Sequence, residues 1–185
     1  MTPTSSTILG YIAGTWDLDP IHTELGFSVR HLMVSKVRGR FTKFEGELVT
    51  GTNPLESSVT VSVDLNSIVT GDENRDAHLR SADFLDVANY PIMTWRSTRV
   101  RLRGGHYVVD GELSLHGVTR NVPLTVEVNG FIESQMGTRV GFSASGELSR
   151  REFDIEFNMP LEGGGVVISD KVVLHLEIEA ILRTP

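Results

Sequence analysis

Apolar and polar residues alternate along most of this chain. Val59, Val61, Val63 and Leu65 alternate with Thr60, Ser62, Asp64 and Asn66, and Val122, Leu124, Val126 and Val128 with Pro123, Thr125, Glu127 and Asn129. Phe142, Ala144 and Leu148 share a face with Gly146; Val172, Leu174, Leu176, Ile178 and Ala180 share another. Phe27, Val29 and His31 repeat the pattern, as do Val109, Gly111, Leu113 and Leu115. A period of two marks strands that bury one face and wet the other. Turn signals separate the runs at Gly51-Thr52-Asn53-Pro54, Gly104-Gly105, His116-Gly117, Asn129-Gly130 and Gly163-Gly164-Gly165. The spacing predicts about eight to ten strands with short connections, hence one antiparallel sheet closed or packed on itself.

One segment departs from alternation, between Ile68 and Pro91. Asp72 is placed to cap a helix start, and Asp76 precedes Arg80 by a helical ion-pair spacing. Ala77, Leu79 and Phe84 are its apolar members, and Tyr90-Pro91 is expected to end it. The chain is therefore expected to be mainly β with one or two short helices.

A closed sheet of about eight strands either fills its interior with its own side chains or holds one elongated apolar ligand. The inward residues are mostly Val, Leu, Ala and Phe, with Trp16 and Trp95 as the large members. Gly111, Ala144 and Gly146 are small and are expected to leave space. The pattern alone leaves both outcomes open.

Composition narrows the function. Seventeen Lys and Arg against 24 Asp and Glu give a net charge of −7, which argues against a nucleic-acid partner. Arg99, Arg101 and Arg103 share one strand face and read as a solvated one. With no cysteine, disulfides, thiolate metal sites and thiol nucleophiles are excluded. The six histidines, His22, His31, His78, His106, His116 and His175, show no ligand spacing, so no metal is expected. The apolar run Ile8 to Ala13 is shorter than a signal-peptide core, and nothing approaches the length of a membrane span. The expectation is a cytoplasmic protein without stable membrane insertion, with residues 1–13 as an extension and 14–183 as a single domain.

Catalytic signatures are absent from the sequence. Gly141-Phe142-Ser143-Ala144-Ser145-Gly146 carries its second glycine one place too late for a nucleophile elbow, and no phosphate loop or HExxH occurs. Asp17, Asp19, Asp72, Glu73 and Asp76 read as capping and solubility groups.

Three segments taken together are specific. The first runs from Trp16-Asp17-Leu18-Asp19-Pro20 through Phe27-Ser28-Val29-Arg30-His31 to Val37-Arg38-Gly39-Arg40-Phe41. The second joins Ile68-Val69-Thr70-Gly71 to Arg75-Asp76-Ala77-His78-Leu79-Arg80-Ser81-Ala82-Asp83-Phe84 and Tyr90-Pro91. The third is Gly111 to Thr119, with Ser149-Arg150-Arg151-Glu152-Phe153 beyond it. In order and at this spacing they resemble the YceI-like family of lipid- or polyisoprenoid-binding proteins, from about Gly14 to Ile181. The chain departs from that pattern at Asp154, where many relatives have glycine.

The resemblance implies an extended, eight-stranded antiparallel lipocalin-like β-barrel, an axial apolar pore holding a polyisoprenoid or other long-chain lipid, and a homodimer. It implies no cofactor and no enzymatic activity. The expected pore lining is Phe27, Val29, Phe41, Val61, Val63, Phe84, Trp95, Leu113, Leu115 and Phe142. His31, Arg38, Arg75, Asp76, His78 and Arg80 are the candidates for a lid or a polar head group. The alternatives are an enzyme on a hydrophobic substrate and a stress-related module with a filled interior.

Overall fold

The computed structural model describes residues 8–185; the first seven residues of the expected extension lie outside them. The strands are β1 (Gly14–Leu18), β2 (Glu24–His31), β3 (Ser35–Phe41), β4 (Phe44–Thr50), β5 (Ser58–Asp64), β6 (Ile68–Val69), β7 (Ile92–Arg103), β8 (His106–Leu115), β9 (Val118–Asn121), β10 (Leu124–Ser134), β11 (Gly137–Ser149) and β12 (Ile168–Leu182). One helix, α1 (Glu73–Arg80), lies between β6 and β7. Every pairing is antiparallel. Because β1 pairs with both β4 and β12, eight strands form a ring in the order β1-β4-β5-β7-β8-β10-β11-β12.

The described residues hold twelve strands, more than alternation predicts. The excess has a local cause. β12 pairs with β1 through Ala180–Leu182 and with β2 through Ile168–Glu177, so β1 and β2 occupy one position along the ring. β3 and β4 are split at Thr42-Lys43, where both backbone N–H groups donate to the Ser67 hydroxyl. β5 and β6 are split by a 3-10 turn whose cap, Asp64, accepts from Asn66 N. Polar side chains take the backbone hydrogen bonds that the ladder gives up at these breaks.

Asp72 caps α1, accepting from Arg75 N at 2.9 Å. The expected Asp76–Arg80 pair does not form. Asp76 is buried and accepts from the backbone N and hydroxyl of Thr70, while Arg80 donates to the carbonyls of Asn66 and Ile68. Tertiary partners, donors for Asp76 and acceptors for Arg80, outcompete the helical neighbour. The helix also stops at Arg80, well before Tyr90-Pro91: Ser81 N bonds back to His78 O, and turns follow to Tyr90. Leu79 and Phe84 pack inward, whereas Ala77 is exposed.

Among the described residues, two buried apolar clusters form in place of one core. Leu65, Phe84, Leu113, Leu115, Val122, Phe153 and Ile155 gather at the α1 end. Trp16, Leu48, Val140 and Ala180 gather at the opposite end, where the Trp16 indole donates to Thr50 Oγ1 at 2.9 Å. Two of the three small inward residues do not open space. Trp95 occupies the notch at Gly111, and Leu124 the notch at Gly146.

Candidate functional site: a cavity inside the strand ring

Inward residues from every strand of the ring enclose a cavity of about 520 Å³, within the usual small-molecule range of about 300–1,000 Å³. The period-two pattern builds it directly. Val59, Val61 and Val63 of β5, Leu124, Val126 and Val128 of β10, and Val172, Leu174, Leu176 and Ile178 of β12 all face it. Phe27, Val29, Phe41, Val61, Val63, Phe84, Trp95, Leu113, Leu115 and Phe142 all lie on its wall. Trp16 does not; it is fully buried in the cluster at the far end.

Of the polar candidates, His31, Arg75 and His78 line the cavity at its α1 end. Arg75 is held by Thr70, whose hydroxyl and carbonyl accept from its Nε and Nη2 at 2.7 and 2.8 Å. His78 Nε2 lies 2.8 Å from Asp83 Oδ2, and its ring meets Phe84 and Phe157 edge-on, with centroids 5.0 and 5.1 Å away. Arg38, Asp76 and Arg80 are not on the wall. Arg38 points outward from β3, and the other two are spent on Thr70 and the loop carbonyls.

The wall contains residues that the sequence reading passed over. Leu174, Leu176 and Ile178 line the cavity and carry the alternation signal, but they are not among the expected lining residues. Phe157 and Met159 sit in the irregular 154–167 segment, which has no periodicity to read. Arg150 is the notable one: it is on the cavity wall and only 4% exposed. It donates to the carbonyls of Ser169, Ile155 and Phe157 at 2.9 Å and of Ile168 at 3.3 Å. Burial pushes its pKa down from the ordinary value, and the Asp170 carboxylate opposes that shift.

No Asp or Glu is among the described residues on the wall. Its ionisable side chains of basic type are Arg30, Arg75, Arg150, His31 and His78. The hydroxyls of Tyr11, Thr50 and Ser57 are engaged with backbone groups. His31 therefore has no carboxylate beside it on the wall to orient it as a general base, and an apolar guest meets apolar side chains for most of the length.

Asp19, His22 and Glu179 converge outside the cavity, their ligand atoms within 4.8 Å of one another. Arg139 Nη1 donates to Asp19 Oδ2 and Glu179 Oε1, both at 2.7 Å, so a guanidinium supplies the positive charge between the carboxylates. Burial alone would raise the Asp19 pKa, but hydrogen bonds from His22, Arg139 and Ile21 N outweigh it and hold it at about 2. The cluster ties the β1–β2 connection to β11 and β12. Arg139 and Glu179 come from parts of the chain far from Asp19 and His22, which is why spacing does not reveal the cluster.

The chain belongs to the YceI-like family: the YceI-like domain matches residues 16–180. A UPF0312 protein of Vibrio cholerae is 38% identical over 143 residues, 76% of each chain. Among solved structures, BcnA of Burkholderia cenocepacia superposes with a TM-score of 0.75 at 21% identity, covering 88% of this chain and 98% of the other. A polyisoprenoid binding domain from Saccharophagus degradans superposes with a TM-score of 0.68 at 18% identity, covering 93% of this chain and 100% of the other. At these identities the two structures show a shared fold.

Proposed function

We propose that this protein binds a long apolar lipid along the axis of a lipocalin-like barrel and stores or carries it without altering it chemically. The ligand class is a polyisoprenoid, an isoprenoid quinone or a fatty-acyl compound. The observation that carries this reading is a cavity of about 520 Å³ with an almost wholly apolar wall and no carboxylate among the described residues on it. Each methylene moved from water onto such a wall contributes about 0.8 kcal/mol, so a long chain binds tightly with no charged anchor. The polyisoprenoid-binding neighbour of the same fold adds support for the isoprenoid members of that class. A polar head group belongs at the α1 end, beside Arg75, His31 and His78. The barrel domain spans residues 14–183, and no step of the reading needs a cofactor.

Native mass spectrometry of the purified protein, followed by organic extraction, tests the reading. A bound lipid, or uptake of added prenyl lipid, quinone or fatty acid at one per chain, is expected. A clean protein that takes up none of the three contradicts it.

A further inference from the structure

The β2–β3 hairpin turns over at His31-Leu32-Met33-Val34, closed by Val34 N donating to His31 O at 3.2 Å. Leu32 and Met33 both adopt positive φ, 52° and 62°. In this three-residue loop, two successive positive-φ positions are ones that Asn and Gly normally fill, because branched and long side chains are strained there. Here two aliphatic residues accept that strain and remain wet: Leu32 is 39% exposed, Met33 55% and Val34 81%. Backbone bonds from Leu32 N to Val167 O and from Val167 N to Met159 O place the tip beside Met159, itself exposed and on the cavity wall. The apolar tip thus stands at the rim of the cavity's α1 end.

The same hairpin is basic. Lys36, Arg38 and Arg40 are exposed on β3, and Arg30, at the cavity rim, is exposed on β2. No carboxylate among the described residues lies within 4.0 Å of any of them, in a chain whose other cations are often paired. Between Leu25 and Lys43 the sequence has no Asp or Glu, although the whole chain carries −7. Lysine and arginine on a partly unpaired strand such as β3 can guard an open edge. Edge protection leaves the wet aliphatic tip unexplained.

We propose that this hairpin docks the protein, reversibly and edge-on, to an anionic lipid bilayer. Leu32, Met33 and Val34 enter the headgroup region, and the four cations lie over the anionic phosphates. Aliphatic insertion and basic residues near an anionic surface are the two contributions that peripheral anchoring requires. The orientation brings the α1 end of the cavity to the membrane, where a lipid can enter or leave. That use of the contact rests on the lipid-binding reading; the docking itself rests on the hairpin alone. The hairpin at the opposite end is a natural control, because Ile132 and Met136 are also exposed, 63% and 74%, without a comparable basic face.

Vesicle flotation with the full chain tests the proposal, using phosphatidylcholine vesicles with and without phosphatidylglycerol. Wild type is expected to float only with the anionic vesicles and to be released at about 0.5 M salt. Met33→Asp with Val34→Asp is expected to weaken partitioning roughly a hundredfold, and Lys36→Gln with Arg38→Gln roughly thirtyfold. Ile132→Asp with Met136→Asp is expected to leave it unchanged. The proposal is overturned if wild type ignores anionic vesicles, if the tip variant floats like wild type, or if the far-end variant loses binding equally. It is also overturned if the tip substitutions only split a dimer and never change flotation. Native mass spectrometry of the tip variant separates the two readings: retained lipid with lost flotation supports docking, whereas an empty cavity in every variant counts against lipid binding and leaves the flotation result standing.

Discussion

Trp95 lies so close over Gly111 that a Cβ on the glycine would stand 2.2 Å from the indole Cζ2. The indole Nε1 donates to Val122 O at 3.0 Å, which pins the ring flat along the wall. Phe27 sits over Gly39 and Leu18 over Gly46 in the same way. The glycines therefore open the interior indirectly. They seat large side chains within the wall, and the volume those side chains would otherwise take remains as cavity.

Gly111→Ala is expected to expel the indole, break its bond to Val122 and lower stability by about 2–3 kcal/mol. Chemical denaturation and tryptophan fluorescence measure this. Combining it with Trp95→Leu is expected to recover part of the loss, as coupled neighbours do. Full additivity of the two substitutions would show that the contact does not govern the site.

Arg150 is bound to two carbonyls of the segment that joins β11 to β12, those of Ile155 and Phe157, and to two at the start of β12, those of Ile168 and Ser169. Lysine keeps the charge but has no planar fork to reach several acceptors at once. Arg150→Lys is expected to cost about 2–3 kcal/mol, read by the urea midpoint. Protection of amides around Phe157 in hydrogen exchange is expected to fall more than that of β7 or β8 amides.

Asp19 is held at about 2, below the ordinary aspartate value of about 3.9. A depressed carboxylate contributes stability that is fully present above the ordinary value and is lost as the pH falls toward 2; the amount here is on the order of 2 kcal/mol. Asp17 and Asp110 are also lowered, by hydrogen bonds from Arg183 and Arg101, so the whole protein weakens in the same acidic window. Arg139→Leu isolates the cluster. At pH 7 it is expected to lower the urea midpoint, because Asp19 is left buried without its guanidinium. The difference from wild type is expected to shrink between pH 4 and about pH 2, since protonated Asp19 no longer needs that charge. A difference independent of pH would contradict the assignment.

Asp154 ends the 3-10 turn of Arg150–Phe153 with φ 58° and ψ 26°, the left-handed region. Asp154→Gly removes a side chain from that region and is expected to raise stability by about 0.5–1 kcal/mol. A fall in the melting temperature would mean that the aspartate side chain contributes more than its backbone conformation costs.

Much of this architecture was legible because a half-buried strand repeats every two residues. Val59 to Val63, Val122 to Val128 and Val172 to Ile178 could be assigned to the inner face without coordinates, and the ten apolar candidates all lie on the cavity wall. What alternation does not encode is the third dimension of packing. Gly111 and Gly146 read as empty space, yet neighbouring side chains fill those notches. Asp76 and Arg80 read as a helical pair, but Thr70 and the carbonyls of Asn66 and Ile68 offered each a better partner. Arg150 and Phe157 lie in or beside a segment without period, so only the folded chain brings them to the cavity.

Ala144 of β11 lines the cavity between Val126 of β10 and Leu176 of β12, and a large ring there would obstruct the channel. Native mass spectrometry of wild type and Ala144→Trp, after both are exposed to prenyl lipid, tests the open interior most directly. One lipid per wild-type chain and none on an Ala144→Trp chain with unchanged β-sheet circular dichroism is the predicted result. Equal loading of the two, or no loading of either, would contradict a lipid channel inside the strand ring.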